Sequence, residues 1–253
     1  MRRSAVLGMA LFLSLACGRA AAQESKLVVD DRLRSELTVV QGARIFFGHH
    51  SVGDNLLEGV AALSREAGVA VTIGEGRVGA NKDPASKFEA WAHKAESGVD
   101  ANVLVMKLCY VDFNPSTNVD ELIAAYRAAV ERVRRAKPGV KIVHVTAPLT
   151  ERDGGLKNWL KRAMGQSVWG DDSNAKRLAY NRALTAAFPG DPIFDLATIE
   201  STRPDGSREE HAVNGQPVPM LWAGYSEDGG HLNEQGKRVA GRAFVAALAA
   251  AAR

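Results

Sequence analysis

Three residues with the means for acyl-transfer chemistry stand at two places in the chain. The first place is Gly48-His49-His50-Ser51-Val52-Gly53, and the second is Asp228-Gly229-Gly230-His231. A serine hydroxyl needs a base to become a nucleophile, and imidazole serves best when a carboxylate fixes its tautomer. The spacing Asp-x-x-His lets one loop deliver both partners, with glycines between them to allow a tight turn. Each motif also has a plainer use. A serine ahead of a helix commonly serves as its N-cap, and Asp228-Gly229 is ordinary turn chemistry.

The elements that would position these groups alternate regularly. Residues 44–47 read as a first strand, and Leu56, Leu57, Val60 and Leu63 then recur at helical spacing up to Gly68. A second strand is expected over 69–73, and a helix around Phe88 and Trp91. Residues 102–108 contain an unbroken Val-Leu-Val-Met run, as a parallel strand buried on both faces requires. Asn118 and Glu121 form a capping-box pattern for a helix that Pro138-Gly139 ends. Residues 141–145 and 193–196 read as the fourth and fifth strands, with a helix over 174–188 between them. The chain from 146 to 173 reads as a long connection, 199–230 as turn-rich, and the last helix runs from about Gln235. Strands alternating with helices imply a parallel sheet covered on both faces, with the active site beyond its carboxyl edge. Ser51 would then begin a helix, where unpaired N–H groups and the dipole favour a developing oxyanion.

A serine just after the first strand and Asp-x-x-His just before the last helix resemble the SGNH (GDSL-like) hydrolase superfamily. The likeness extends over nearly all of residues 23–253, with Asp100, Tyr180-Asn181 and Asp195 similar in placement. It implies an α/β fold: a flavodoxin-like three-layer α/β/α sandwich around a central five-stranded parallel sheet. It also implies Ser51 as nucleophile, His231 as base and Asp228 as the orienting acid, acting on acyl esters without metal or other cofactor. Two departures qualify the match. The usual Gly-Asp-Ser is here Gly48-His49-His50-Ser51, and the asparagine of the family's third block is missing near Lys107-Leu108-Cys109-Tyr110. Gly79 fits the second-block glycine, with Gly76 as a rival, so the N–H groups of Ser51 and Gly79 would hold the oxyanion. A third donor falls to Asn114, Tyr110 or His50. The missing asparagine also leaves open a glycan-binding protein on a worn hydrolase scaffold, and transfer of the acyl group to a polysaccharide instead of water.

Other residues carry weaker signals. His49 and His50, with His231 and Asp112, offer metal-ligand types, but adjacent residues of an extended segment point to opposite sides, so no metal is expected. Cys109 and His144 suit buried packing roles. Trp159, Trp169 and Trp222 lie in the long connections and would either stack on a sugar or close the core. At the other end of the chain, Arg2 and Arg3, an apolar run over 5–16 and Ala20-Ala21-Ala22 have the order of a secretory leader over residues 1–22. Export to the periplasm or beyond is therefore expected. A lipid anchor at Cys17 is less favoured, because Ser14 stands where such anchors usually have leucine. The leader carries three arginines and no acids, so without it the net charge falls from +3 to 0. A neutral chain gives no electrostatic case for nucleic acid or anionic membrane, which leaves a small-molecule or glycan ester as the expected partner.

Overall fold

The computed structural model describes residues 29–253, so the expected leader over residues 1–22, with Cys17, lies outside the described residues. Five parallel strands form the sheet: β1 (Ile45–His49), β2 (Gly74–Arg77), β3 (Val103–Met106), β4 (Lys141–Val145) and β5 (Ile193–Phe194), in the order β2-β1-β3-β4-β5. Their side chains divide by the two-residue period of a strand. Ile45, Phe47, Val103, Val105, Val143 and Val145 enter the core on one side, and Phe46, Leu104, Met106 and Ile142 enter the core on the other.

Helices cover both faces, completing the three layers. On the first side lie α1 (Asp31–Gln41), α2 (Val52–Ala67) and α8 (Glu234–Ala252); on the second lie α3 (Pro84–Glu96), α4 (Val119–Ala136) and α6 (Trp169–Ala187). In α2, Val52, Leu56, Val60, Leu63 and Ala67 form one buried stripe. Burial of each large member contributes about 1.5–3 kcal/mol, enough to hold the helix on the sheet and so fix its first residue. Helix α4 begins as expected, with Asn118 Oδ1 accepting from the Glu121 N–H at 3.3 Å. The remaining elements are α5 (Leu156–Ala163), α7 (Leu196–Ser201) and a hairpin of β6 (Glu210–Val213) and β7 (Gln216–Pro219). Among the described residues, no helix is long and apolar enough to cross a membrane.

Several boundaries differ from the sequence reading. The second strand is not 69–73: pairing with β1 starts at Gly74, opposite Phe46, and the preceding Val69, Val71 and Ile73 pack on the core without joining the ladder. Helix α1 and the β6–β7 hairpin were not foreseen, and α6 starts five residues before Asn174.

Candidate active site

The chain passes from β1 to α2 in two residues, and the sharpness of that turn is visible at Ser51. Its backbone has φ 56° and ψ −109°, a conformation that side-chain-bearing residues rarely adopt and that costs on the order of 1–3 kcal/mol. Gly53 permits the turn. A Cβ there would lie 2.5 Å from the His49 ring, so the first turn of α2 can fold back on the strand end only without one. Ser51 heads the helix without capping it through its side chain. Its Oγ–H instead donates to His231 Nε2 at 2.5 Å. The N-cap alternative therefore does not describe this serine.

His231 reaches that position on the loop ahead of α8. Its Nδ1–H donates to Asp228 Oδ2 at 2.6 Å, and because a carboxylate only accepts, this bond leaves Nε2 as the ring's acceptor toward Ser51. The other carboxylate oxygen accepts from the backbone N–H of His231 at 2.8 Å and of Gly230 at 3.0 Å. These bonds, the His231 backbone N–H foremost, push the Asp228 carboxyl down to about 2. Loop and helix are tied by Asn55 of α2, whose Oδ1 accepts from the Leu232 N–H at 3.0 Å. Asn55 was not singled out from the sequence. Its signal was an amide on the buried face of a helix, four residues after the serine.

The two histidines beside Ser51 do separate work on opposite sides. His50 Nε2 lies 3.0 Å from the Val78 carbonyl and 3.1 Å from that of Gly79; both partners only accept, so Nε2 carries the proton and holds this loop. That nitrogen is thus committed to the Gly79 loop. Gly79 itself has φ +62°, and a Cβ would come within 2.4 Å of the Lys87 nitrogen at the start of α3, so only glycine fits. Gly76, its rival, lies inside β2. His49 turns the other way, with Nε2 2.7 Å from Glu75 Oε2. Asp54 and Glu75 approach it closely enough to make a candidate cation set, but the Arg77 guanidinium already meets Asp54 at 3.0 Å and none of these groups belongs to the Ser51–His231–Asp228 chain. Asp112 is paired elsewhere.

That pairing fixes the loop after β3. Lys87 and Asp112, both fully buried, meet at 2.6 Å, and Asp112 also accepts from the Cys109 N–H at 2.7 Å and the Lys82 N–H at 2.8 Å. Tyr110 therefore leans edge-on against His231, with ring centroids 5.6 Å apart, and covers Gly230. Burial, then the nearby Asp228 charge, pushes its hydroxyl upward from the ordinary tyrosine value, so it stays a neutral donor. Asn114 is turned to its own loop: its Oδ1 accepts from the N–H and hydroxyl of Ser116, and no hydrogen bond joins it to the other candidates. Cys109 is buried, and His144 is a satisfied core residue between Tyr126 and Asp191.

Beyond β4 the chain runs irregularly, and its backbone groups must find partners off the sheet. Helix α6 supplies them from a polar inward face. Asn181 accepts from the Ala147 N–H at 2.7 Å, Asn174 brackets Thr150, and buried Arg177 donates to the Tyr110 carbonyl at 2.8 Å. The segment so held receives the late loop through Glu151 N–H to Gly229 O, at 2.9 Å. A cleft of about 380 Å³ lies here, lined by Tyr110, Arg152, Trp169, Arg177 and Asp228–Gly230. A cavity of about 420 Å³ lies by Thr146, Asn181 and Asp195, away from the serine and imidazole. The two are similar in size, and chemistry favours the cleft.

No family model matches the chain, and no curated protein matches it in sequence. Solved structures share its fold. A Streptococcus pneumonia protein, described provisionally as a platelet activating factor, superposes with a TM-score of 0.51 at 16% identity, covering 87% of this chain and 91% of that one. The periplasmic domain of a lipopolysaccharide acetyltransferase from Salmonella ser. Paratyphi A overlaps at a TM-score of 0.48 and 13% identity, over 87% and 95% of the two chains. That score is too low to carry an argument. At such identities the likeness establishes the α/β three-layer fold and nothing finer.

Proposed function

We propose that the protein is an exported serine hydrolase of the SGNH type that cleaves an acyl ester of a carbohydrate or lipid. The observation that carries this reading is the continuous hydrogen-bond chain from Ser51 through His231 to Asp228 at the carboxyl edge of the sheet. In the first step Ser51 Oγ bonds to the acyl carbon while its proton passes to His231 Nε2, and Asp228 stabilises the imidazolium. The N–H groups of Ser51 and Gly79 receive the oxyanion, with the Tyr110 hydroxyl as third donor. The imidazolium then gives its proton to the departing alkoxide as the C–O bond breaks. Water, deprotonated by the same imidazole, releases the acid and restores the serine. The leader-like residues 1–22 support export over retention, and free release over an anchor at Cys17.

Hydrolysis of a short-chain aryl ester by the wild type, Ser51→Ala and His231→Ala, each with and without chelator, tests the reading. The wild type should turn over, both variants should lose at least about 10³-fold in kcat, and chelator should change nothing. Equal activity in the three proteins would overturn it. Adding an alcohol acceptor decides between hydrolysis and transfer: if ester product outruns acid, the acyl group is passed on.

A further inference from the structure

Helix α5 is amphipathic the wrong way round. Leu156, Trp159, Leu160, Ala163 and Met164 recur at three- and four-residue spacing, which makes one stripe of a helix. An ordinary surface helix turns that stripe inward. Here no residue of α5 is buried, and Leu156 is 80% exposed, Trp159 62% and Met164 54%. Asn158 and Arg162, both only partly exposed, lie on the opposite side. Arg162 binds Asp171 through two bonds at 2.6 and 2.8 Å and also donates to the Asp153 carbonyl, while Asn158 donates to the Gly154 carbonyl. A helix fastened by its polar side holds its apolar side out deliberately, since the opposite rotation would bury several large side chains.

We infer that α5 seats the protein on an anionic lipid surface. Three features favour that occupant. The segment from Gly154 to Gly170 contains no acid, and Lys157 and Lys161 flank the apolar stripe, which suits anionic headgroups beside acyl chains. Trp with Leu and Met, beside a basic flank, is the composition of a helix lying in an interface. A sugar would need hydrogen-bond partners for its hydroxyls, and Leu156, Leu160 and Met164 offer none. The position also fits. Gly154 and Trp169, itself 58% exposed, belong to the lining of the cleft that ends at Asp228–Gly230. Contact through α5 therefore sets the cleft mouth at the lipid surface. This deepens the proposed function by naming the substrate class, an acyl ester presented in a lipid layer, and it rests on that reading for the reaction but not for the contact.

The test is co-sedimentation of the processed chain (every described element lies after residue 28) with vesicles of phosphatidylcholine alone or mixed equally with phosphatidylglycerol. Wild type and Ser51→Ala should both bind the mixed vesicles, with weaker binding to phosphatidylcholine. The triple variant Leu156→Ser, Trp159→Ser, Leu160→Ser should lose at least tenfold in affinity while keeping its thermal midpoint and its rate on a soluble aryl ester. Failure of wild type to bind, or equal binding by the triple variant, overturns the inference. So does self-association of the wild type that the triple variant abolishes, which would assign the face to a second copy. If vesicles bind as expected but no soluble ester is cleaved, the esterase reading fails and the lipid contact stands.

Discussion

At the scale of single residues, Ser51 combines two properties that ordinary packing does not select together: a strained backbone and a hydroxyl aimed at imidazole. Replacing it with glycine removes both. Ser51→Gly is therefore expected to lose activity and to gain about 1 kcal/mol of stability, read as a higher denaturant midpoint at unchanged slope. A lower midpoint would mean that the turn is not strained. Asp228 acts at the same scale through the tautomer of His231. Asp228→Asn should retain the fold and lose on the order of 10⁴ in kcat, because the amide can present a donor where an acceptor is needed. The carboxyl is depressed to about 2, so its contribution is complete above its ordinary value of 3.8 and is lost only as pH falls through the depressed one. An activity loss centred well above pH 4 would thus have a group other than Asp228 as its cause.

Between elements, the site is held by polar side chains in places where a sequence pattern predicts apolar ones. Lys87 of α3 and Asp112 lock that helix to the segment after β3, and breaking a fully bonded buried pair costs about 3–5 kcal/mol. Lys87→Met should lower the thermal midpoint by roughly 10 °C, at 2–4 °C per kcal/mol for a chain of this size; a change within 2 °C would contradict the role given to the pair. This is also where the sequence is hardest to read. The strands other than the second, the helix after Ser51 and the Asp-x-x-His loop were legible, though not their exact bounds, because their signals are local: an apolar run, a helical stripe, a three-residue spacing. The inward face of α6 was not, since Asn174, Arg177 and Asn181 serve backbone groups of a distant segment. Residues 69–73 alternate like a strand, but tertiary pairing begins only at Gly74. The β6–β7 hairpin did carry a local signal, Asn214-Gly215, and both residues have the positive φ that a tight two-residue turn demands. Helix α1 carried one too, in Asp30 followed by Leu33, Leu37 and Val40.

Across the whole molecule, the core encloses an ionisable side chain as well as apolar surface. Glu200 of α7 is fully enclosed, and burial pushes its carboxyl up to about 8. A group raised in this way binds its proton more tightly in the folded chain, so its effect on stability is favourable below its ordinary value and declines as pH rises toward 8. Glu200→Gln should therefore unfold with a flatter pH dependence between about 5 and 8, and should gain on the wild type toward the alkaline end. Parallel stability curves for the two proteins would show that Glu200 is ionised in the fold. The same enclosure keeps the segments around Leu149 and Thr150 in register with the late loop, which links this buried carboxyl to the position of His231.

The central claim is that Ser51 is a nucleophile activated by His231, and a fluorophosphonate ester tests it without knowledge of the natural substrate. The account predicts one phosphonyl group per chain, located on the Ser51 peptide by mass, absent in Ser51→Ala and formed at least 10²-fold more slowly in His231→Ala, as loss of a general base implies. No adduct, or an adduct on another residue, would contradict it.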